Sequence, residues 1–135
     1  MGARILIAED NEANLALVEY LLQSSGHQTL AASDGAQAVR LARRQPPDLV
    51  ICDLQMLLLD GFEVLRQLRE DATLRSLPVV ALTAFSRSGD RTDVLGAGFS
   101  GYLSKPIDPE AFVAQIEKYL QPHLRSGGLP RAPGA

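Results

Sequence analysis

The sequence lacks most features of secreted, membrane-bound or nucleic-acid-binding proteins. It has one cysteine, Cys52, which cannot form an internal disulfide, and no stretch has the layout of a signal peptide, so we expect a cytoplasmic protein. No apolar run approaches the ~20 residues that span a bilayer, and we expect no membrane insertion. The basic residues are scattered and the net charge is −3, which argues against direct nucleic-acid binding.

What the chain does have is the composition of one ordinary folded domain. It contains 135 residues, of which 46% are hydrophobic and 21% are charged, enough to bury a core and too apolar for a disordered chain. From Ser126 onwards the sequence is rich in glycine, proline and alanine. We therefore expect one domain over residues 1–122 and a disordered tail over residues 123–135.

Short apolar runs alternate with amphipathic segments along this domain. Strands are predicted at 4–8, 28–32, 48–52, 78–82 and 101–104, and helices at 12–25, 35–45, 62–69, 89–96 and from Asp108 onwards, with Asp108 as N-cap. Such alternation predicts an α/β fold, a doubly wound five-stranded parallel sheet of order 2-1-3-4-5 with five helices.

Polar side chains follow four of the five predicted strands. Glu9 and Asp10 follow the first, Asp53 the third, Thr83 the fourth and Lys105 the fifth. The carboxyl ends of parallel strands share one edge, where folds of this class bind ligands, so these residues should converge in one crevice.

Three converging carboxylates repel one another. Either one of them stays protonated, or a cation keeps all three ionised. Hard oxygen ligands suit Mg²⁺, and a magnesium site that uses few carboxylates together with phosphate oxygens is typical of phosphoryl transfer.

At this point the chain resembles the receiver domain of two-component response regulators, of the CheY-like kind found in stand-alone DivK-type regulators and hybrid kinases. The resemblance covers residues 3–120 and rests on four motifs in order: Glu9-Asp10-Asn11, Asp53-Leu54-Gln55-Met56 with Asp60-Gly61, Thr83-Ala84, and Tyr102-Leu103-Ser104-Lys105-Pro106. Each motif alone is weak, but their order and their place at strand ends are specific.

The resemblance implies a role for each site residue. Asp53 would accept the phosphoryl group, and Asp10, Asp53 and the backbone carbonyl of Gln55 would bind Mg²⁺ directly, with Glu9 acting through a water. Lys105, aimed by a cis peptide bond to Pro106, would pair with the phosphoryl oxygens. The switch would consist of a movement of Thr83 toward the phosphoryl group and an inward turn of Tyr102.

The same resemblance implies the partners. A sensor histidine kinase or a histidine phosphotransfer protein would supply the phosphoryl group, and a downstream protein effector would meet the face formed by the helix after the fourth strand, the fifth strand and the last helix.

Some residues depart from the family pattern or carry a simpler interpretation. Family members usually have proline four residues after the acceptor, where this chain has Leu57, the first of three leucines that could dock a partner or pack under the third helix. Cys52 is interpreted as a buried small hydrophobe, and His27 and His123 as surface polar groups.

Three other functions were compared with the switch. A phosphatase of the haloacid dehalogenase type needs a second aspartate two residues after the acceptor, where Gln55 stands. A nucleotide or flavin module would have a glycine-rich loop after the first strand, which is missing. A pseudo-receiver that binds partners without phosphorylation conflicts with the complete acidic set, although Leu57 leaves that alternative open.

Overall fold

Short strands alternate with helices in the computed structural model, which describes residues 2–54, 60–83 and 94–125. The elements within these ranges are β1 (Arg4–Ala8), α1 (Glu12–Ser24), β2 (Gln28–Ala32), α2 (Gly35–Arg44), β3 (Leu49–Asp53), α3 (Gly61–Glu70), β4 (Val79–Thr83), β5 (Gly101–Ser104) and α4 (Phe112–Glu117), with a 3-10 turn at Pro122–Leu124.

The five strands form one parallel sheet of order β2-β1-β3-β4-β5, which confirms the predicted fold class. Every residue of β3 and β4 is buried, as expected for central strands that are covered by helices on both faces. The register places Asp53 of β3 beside Leu82 of β4, and Thr83 of β4 beside Ser104 of β5. The register therefore brings the ends of these strands to one edge.

The core consists of two layers, one on each face of the sheet. On one face α2 and α3 pack through residues such as Val39 and Leu68. On the other face α1 and α4 pack through Leu22 and Ile116. Alternate residues of each strand point into opposite layers, so the sheet is closed to water on both sides and open at its ends.

Three helices begin at a polar N-cap that follows the preceding strand or loop. The side chains of Asn11, Asp34 and Asp60 each accept a hydrogen bond from the backbone N–H three residues further on. Gly26 adopts a φ of 90° after α1, the left-handed conformation in which glycine commonly ends a helix. The three side-chain caps fix the first residues of α1, α2 and α3.

The helix predicted over residues 89–96 is described only in part. Residues 94–96 are helical, and Val94 is fully buried in the layer with α3. The other predicted positions lie outside the described residues, as do residues 126–135 of the predicted tail.

The prediction that Asp108 is the N-cap of the last helix is wrong. The helix begins at Phe112, and Asp108 instead accepts a hydrogen bond from the N–H of Glu110 in a turn. Its backbone carbonyl accepts from the N–H groups of Ala111 and Phe112. An aspartate followed by proline and glutamate can close such a turn as readily as it can cap a helix.

The interpretation of His27 as a surface group is also wrong. His27 is buried at the start of β2, where its Nδ1 accepts from the N–H of Ala3 at 2.9 Å and its Nε2 lies 2.7 Å from Oε2 of Glu117. His123 is exposed and Cys52 is buried, as predicted. The contact between His27 and Glu117 joins the residues just before β1 and β2 to α4, which is distant in the sequence.

None of the helices within the described ranges is both long enough and apolar enough to span a bilayer.

Candidate functional site

The predicted convergence of strand ends is present in the structure. Glu9 and Asp10 follow β1, Asp53 ends β3, Thr83 ends β4 and Lys105 follows β5. Because all five strands are parallel, these residues lie along the same edge of the sheet. These five residues bring three carboxylates and one ammonium group to the edge.

Asp53 and Lys105 form an ion pair at the centre of this edge. Lys105 Nζ lies 2.7 Å from Oδ2 of Asp53, whose exposed fraction is only 3%. The backbone N–H of Lys105 donates to the carbonyl of Thr83 at 2.7 Å, and a cis peptide bond joins Lys105 to Pro106, as the resemblance implied. The lysine is thus held at the end of β5 and aimed at Asp53.

Electrostatics at Lys105 are governed by two opposing effects. Burial lowers the pKa of Lys105, but the hydrogen bond and charge of Asp53, together with the charge of Glu9, raise it overall. Lys105 therefore stays cationic at neutral pH.

Glu9 is the most completely buried carboxylate of the site. Its Oε2 accepts a hydrogen bond from the N–H of Asn11 at 3.1 Å, and its Oε1 lies 3.4 Å from Nζ of Lys105. Within the described residues, this buried Oε1 accepts no hydrogen bond. Its ion pair with Lys105 is longer than a hydrogen bond, so this buried oxygen keeps the capacity to bind a cation.

The pKa of Glu9 reflects this environment. Burial, followed by the hydrogen bond that a protonated Glu9 makes with Asp53, raises its pKa to about 7. The opposing effects of the Asn11 N–H and the Lys105 charge are smaller. At neutral pH the Glu9 side chain is therefore protonated in a large fraction of the molecules when no metal cation is bound to the site.

Asp10 completes the acidic group from the solvent side. It is exposed, whereas Glu9 and Asp53 are buried, and one ligand oxygen from each of the three lies within 4.8 Å of the others. Three hard oxygen donors at this spacing, two of them from buried residues, fit a divalent cation such as Mg²⁺. An exposed third ligand also leaves the cation accessible to phosphate oxygens from solvent.

The two predicted switch residues lie beside this group. Thr83 is buried at the end of β4, and Tyr102 lies half-buried on β5 against the same core layer as α3. Because Tyr102 pairs with Ala81, two residues before Thr83, both side chains leave the same face of the sheet. Thr83 and Tyr102 are therefore on one face of the sheet, on neighbouring strands.

Several predicted features lie outside the described residues. They are the backbone carbonyl of Gln55, the three leucines from Leu57 to Leu59, and the residues after Thr83, including Ala84.

The role of Asn11 was missed in the sequence, where it counted only as part of a family motif. Its side chain caps α1 by accepting from the N–H of Asn14, and its own N–H holds Glu9. Asparagine just before an amphipathic run is an N-cap signal, so the first of these two contacts could have been predicted.

The raised pKa of Glu9 predicts how stability depends on pH. In the unfolded chain Glu9 titrates near its ordinary value of 4.5, and in the folded chain near 7, so the folded state binds the proton more tightly. Without a divalent cation, the free energy of unfolding of the wild type should fall relative to that of Glu9→Gln as pH rises from 4.5 to 7. With allowance for water at the open edge, the loss should be on the order of 2 kcal/mol.

Urea unfolding at several pH values, with chelator present, measures this difference. Glu110→Gln, which changes an exposed carboxylate, is the matched control and should show no such pH-dependent difference. Added Mg²⁺ should restore wild-type stability at pH 8. A constant difference between wild type and Glu9→Gln from pH 4.5 to 8 would contradict the prediction.

Comparison with known proteins adds an independent observation. A sequence model of the response regulator receiver domain matches residues 5–117. The polar-differentiation response regulator DivK of Brucella ovis is 39% identical over 120 residues, covering 89% of this chain and 98% of that protein.

Solved structures are similar over the same extent. The receiver domain of the sensor histidine kinase PA1611 of Pseudomonas aeruginosa, solved with a magnesium ion coordinated in its active-site cleft, is 36% identical with a TM-score of 0.80, covering 88% of this chain and 98% of that one. The chemotaxis protein CheY4 of Vibrio cholerae is 26% identical with a TM-score of 0.83, covering 89% of this chain and 100% of that one. The similarity thus extends over all five strands.

Proposed function

The chain belongs to the response regulator receiver domain family, and from this membership we propose that it is a Mg²⁺-dependent phosphorylation switch with Asp53 as the acceptor. The observation that carries the proposal is the buried carboxylate of Asp53, paired with Lys105 at 2.7 Å and grouped with two further carboxylates. A nucleophile, a cationic arm and a metal-binding set are the parts that phosphoryl transfer to a carboxylate requires.

The proposed transfer forms a bond between a carboxylate oxygen of Asp53 and phosphorus, and it breaks the bond between phosphorus and the donor's leaving group. When bound, Mg²⁺ would neutralise charge on the phosphoryl oxygens. Asp10, Asp53 and the backbone carbonyl of Gln55 would hold the ion, with Glu9 acting through a water. Lys105 would contact the phosphoryl oxygens, and the burial of Asp53 limits the access of water.

The switch is reset by hydrolysis of the acyl phosphate. A water oxygen attacks phosphorus, inorganic phosphate leaves, and the carboxylate of Asp53 is regenerated. The chain then returns to its starting state without net change, so it acts as a signalling switch that catalyses only its own phosphorylation and dephosphorylation.

We further propose that the phosphoryl group draws Thr83 toward the site and that Tyr102 turns inward. The shared face of these two residues supports this coupling. The surface formed by the helix before β5, by β5 and by α4 would then change shape and bind a protein effector.

A sensor histidine kinase or histidine phosphotransfer protein in the cytoplasm would be the phosphoryl donor. Residues 1–122 would act as the receiver and residues 123–135 as a tail.

Intact mass spectrometry after incubation with acetyl phosphate and Mg²⁺ tests the function. The wild type should gain one phosphoryl group, and chelation of Mg²⁺ should prevent the gain. Asp53→Asn should gain none, because an amide cannot form the acyl phosphate. Asp48→Asn is the matched control, since it changes an exposed aspartate beside the opposite end of the same strand, and it should be phosphorylated like the wild type.

Two results would overturn the proposal. A phosphoryl group on Asp53→Asn would move the acceptor to another residue. No gain on the wild type under any condition would favour the pseudo-receiver, in which the acidic edge binds partners without phosphorylation.

A further inference from the structure

Gly61, the first residue of α3, lies against the backbone that follows the proposed acceptor. A Cβ atom at Gly61 would lie 2.8 Å from the carbonyl oxygen of Asp53 and 2.9 Å from Cα of Leu54. It would also lie 3.0 Å from Cδ2 of Leu54, but that side chain can rotate away. The two backbone atoms cannot rotate away, because one lies at the end of the fully buried strand β3 and the other in the buried residue that follows it.

Hydrogen bonds hold both partners of this contact. The N–H of Gly61 donates to the carbonyl of Leu54 at 3.2 Å, and the N–H of Leu54 donates to the carbonyl of Leu82 at 3.0 Å. The side chain of Asp60 accepts from the N–H of Glu63 at 3.0 Å, which fixes the first turn of α3. Hydrogen bonds thus hold the backbone at Leu54 and at the first turn of α3.

We propose that Gly61 is a positioning residue for phosphoryl transfer, because its missing side chain lets α3 close directly on the carbonyl of Asp53. The closure fixes the backbone of the acceptor and of Leu54, the residue that follows it. This inference rests on the proposed function, in which Asp53 and the Gln55 carbonyl bind Mg²⁺. No contact of Gly61 with the metal is implied.

The expected consequence of filling this space follows from the geometry. A methyl group at position 61 must displace either the start of α3 or the carbonyl of Asp53, and Asp53 is the residue whose Oδ2 pairs with Lys105 at 2.7 Å. Displacements well below 1 Å are enough to disturb a site that works by positioning. Loss of groups that orient metal ligands typically weakens metal binding by about 10–100-fold.

The test compares Gly61→Ala with Gly96→Ala. Gly96 is the matched control because a Cβ there would meet no atom within 4 Å. Titration calorimetry with Mg²⁺ is done at a temperature well below the unfolding midpoint of each protein. Gly61→Ala should show a dissociation constant for Mg²⁺ about ten-fold higher than that of the wild type. Gly96→Ala should stay within about two-fold of the wild type.

A second pair of variants applies if Gly61→Ala does not fold. Asp60→Asn keeps a good N-cap and removes the charge, whereas Asp60→Ala removes both. The proposal expects Asp60→Ala to bind Mg²⁺ at least about three-fold more weakly than Asp60→Asn, because only the former loosens the first turn of α3.

The outcomes separate this inference from the proposed function. Folded Gly61→Ala with wild-type Mg²⁺ affinity and a lower unfolding midpoint shows a purely structural glycine and overturns the inference alone. Equal affinities for the two Asp60 variants do the same where Gly61→Ala is unfolded. A wild type that binds no Mg²⁺ and gains no phosphoryl group overturns the proposed function and this inference together.

Discussion

Lys105→Met should gain a phosphoryl group from acetyl phosphate about 100-fold more slowly than the wild type at saturating Mg²⁺. Lys105 Nζ lies 2.7 Å from Oδ2 of Asp53, the proposed acceptor, so its charge would lie close to the negative charge of the transferred group. Methionine retains an unbranched apolar stem of similar length but supplies no charge, so the packing around the stem is largely kept. Rapid quenching followed by intact mass measurement gives the rate.

The same variant should bind Mg²⁺ more tightly than the wild type. Lys105 lies 3.4 Å from Glu9 Oε1 as well as next to Asp53, so it competes with a divalent cation for the same carboxylates. A slower transfer combined with tighter metal binding distinguishes loss of the cationic arm from general damage, which would weaken both. Lys118→Met, which changes the chain's other lysine at an exposed position of the surface, should alter neither.

A rate within about three-fold of the wild type for Lys105→Met would contradict the prediction. Transfer would then depend on the metal and the backbone alone, and the ion pair with Asp53 would serve only to stabilise the metal-free protein.

The fold, and the residues that share the crevice, were predictable because both follow from backbone geometry. Short buried strands alternating with helices leave few arrangements other than a parallel sheet, and a parallel sheet brings its strand ends together. Asp53 and Lys105 could therefore be assigned to one crevice although 52 positions separate them, and the structure confirms that they meet.

The distribution of burial and charge within the site could not be predicted in the same way. Glu9 and Asp10 are neighbours in sequence, yet the first is 1% exposed and the second lies at the surface. Which of them faces the interior depends on how β1 ends and on the Asn11 cap. The raised pKa of Glu9 depends on burial and then on Asp53, which lies on another strand. The residues next to Glu9 in the sequence do not indicate which distant residues will surround it in the fold.

His27 shows the same limit for a group outside the site. Its position next to Gly26, at the end of a helix, resembles an exposed turn. The partner that makes burial possible is Glu117, which lies 90 positions away on α4. A buried polar residue is readily recognised only when its partner is known, because an unpaired one would destabilise the fold.

His27→Ala should destabilise the protein by about 3 kcal/mol, the largest loss of stability that we expect from a single polar substitution in this chain. The backbone N–H of Ala3 donates to Nδ1, so Nε2 carries the proton and donates to Glu117. Alanine removes the imidazole that accepts from the N–H of Ala3 and donates to Glu117, and it leaves a cavity beside α4. The midpoint of thermal unfolding should fall by about 10 °C.

Variants of Glu117 test whether this loss comes from the pair. Glu117→Gln keeps an oxygen that accepts from Nε2, so it should cost only about 1 kcal/mol, whereas Glu117→Ala should cost considerably more. In a double-mutant cycle, His27→Ala and Glu117→Ala should be strongly non-additive, because either change alone breaks the same contact. His123→Ala, at the exposed histidine, should stay within about 0.5 kcal/mol of the wild type. Additive effects in the cycle would show that His27 stabilises the fold through packing alone, without the hydrogen bond to α4.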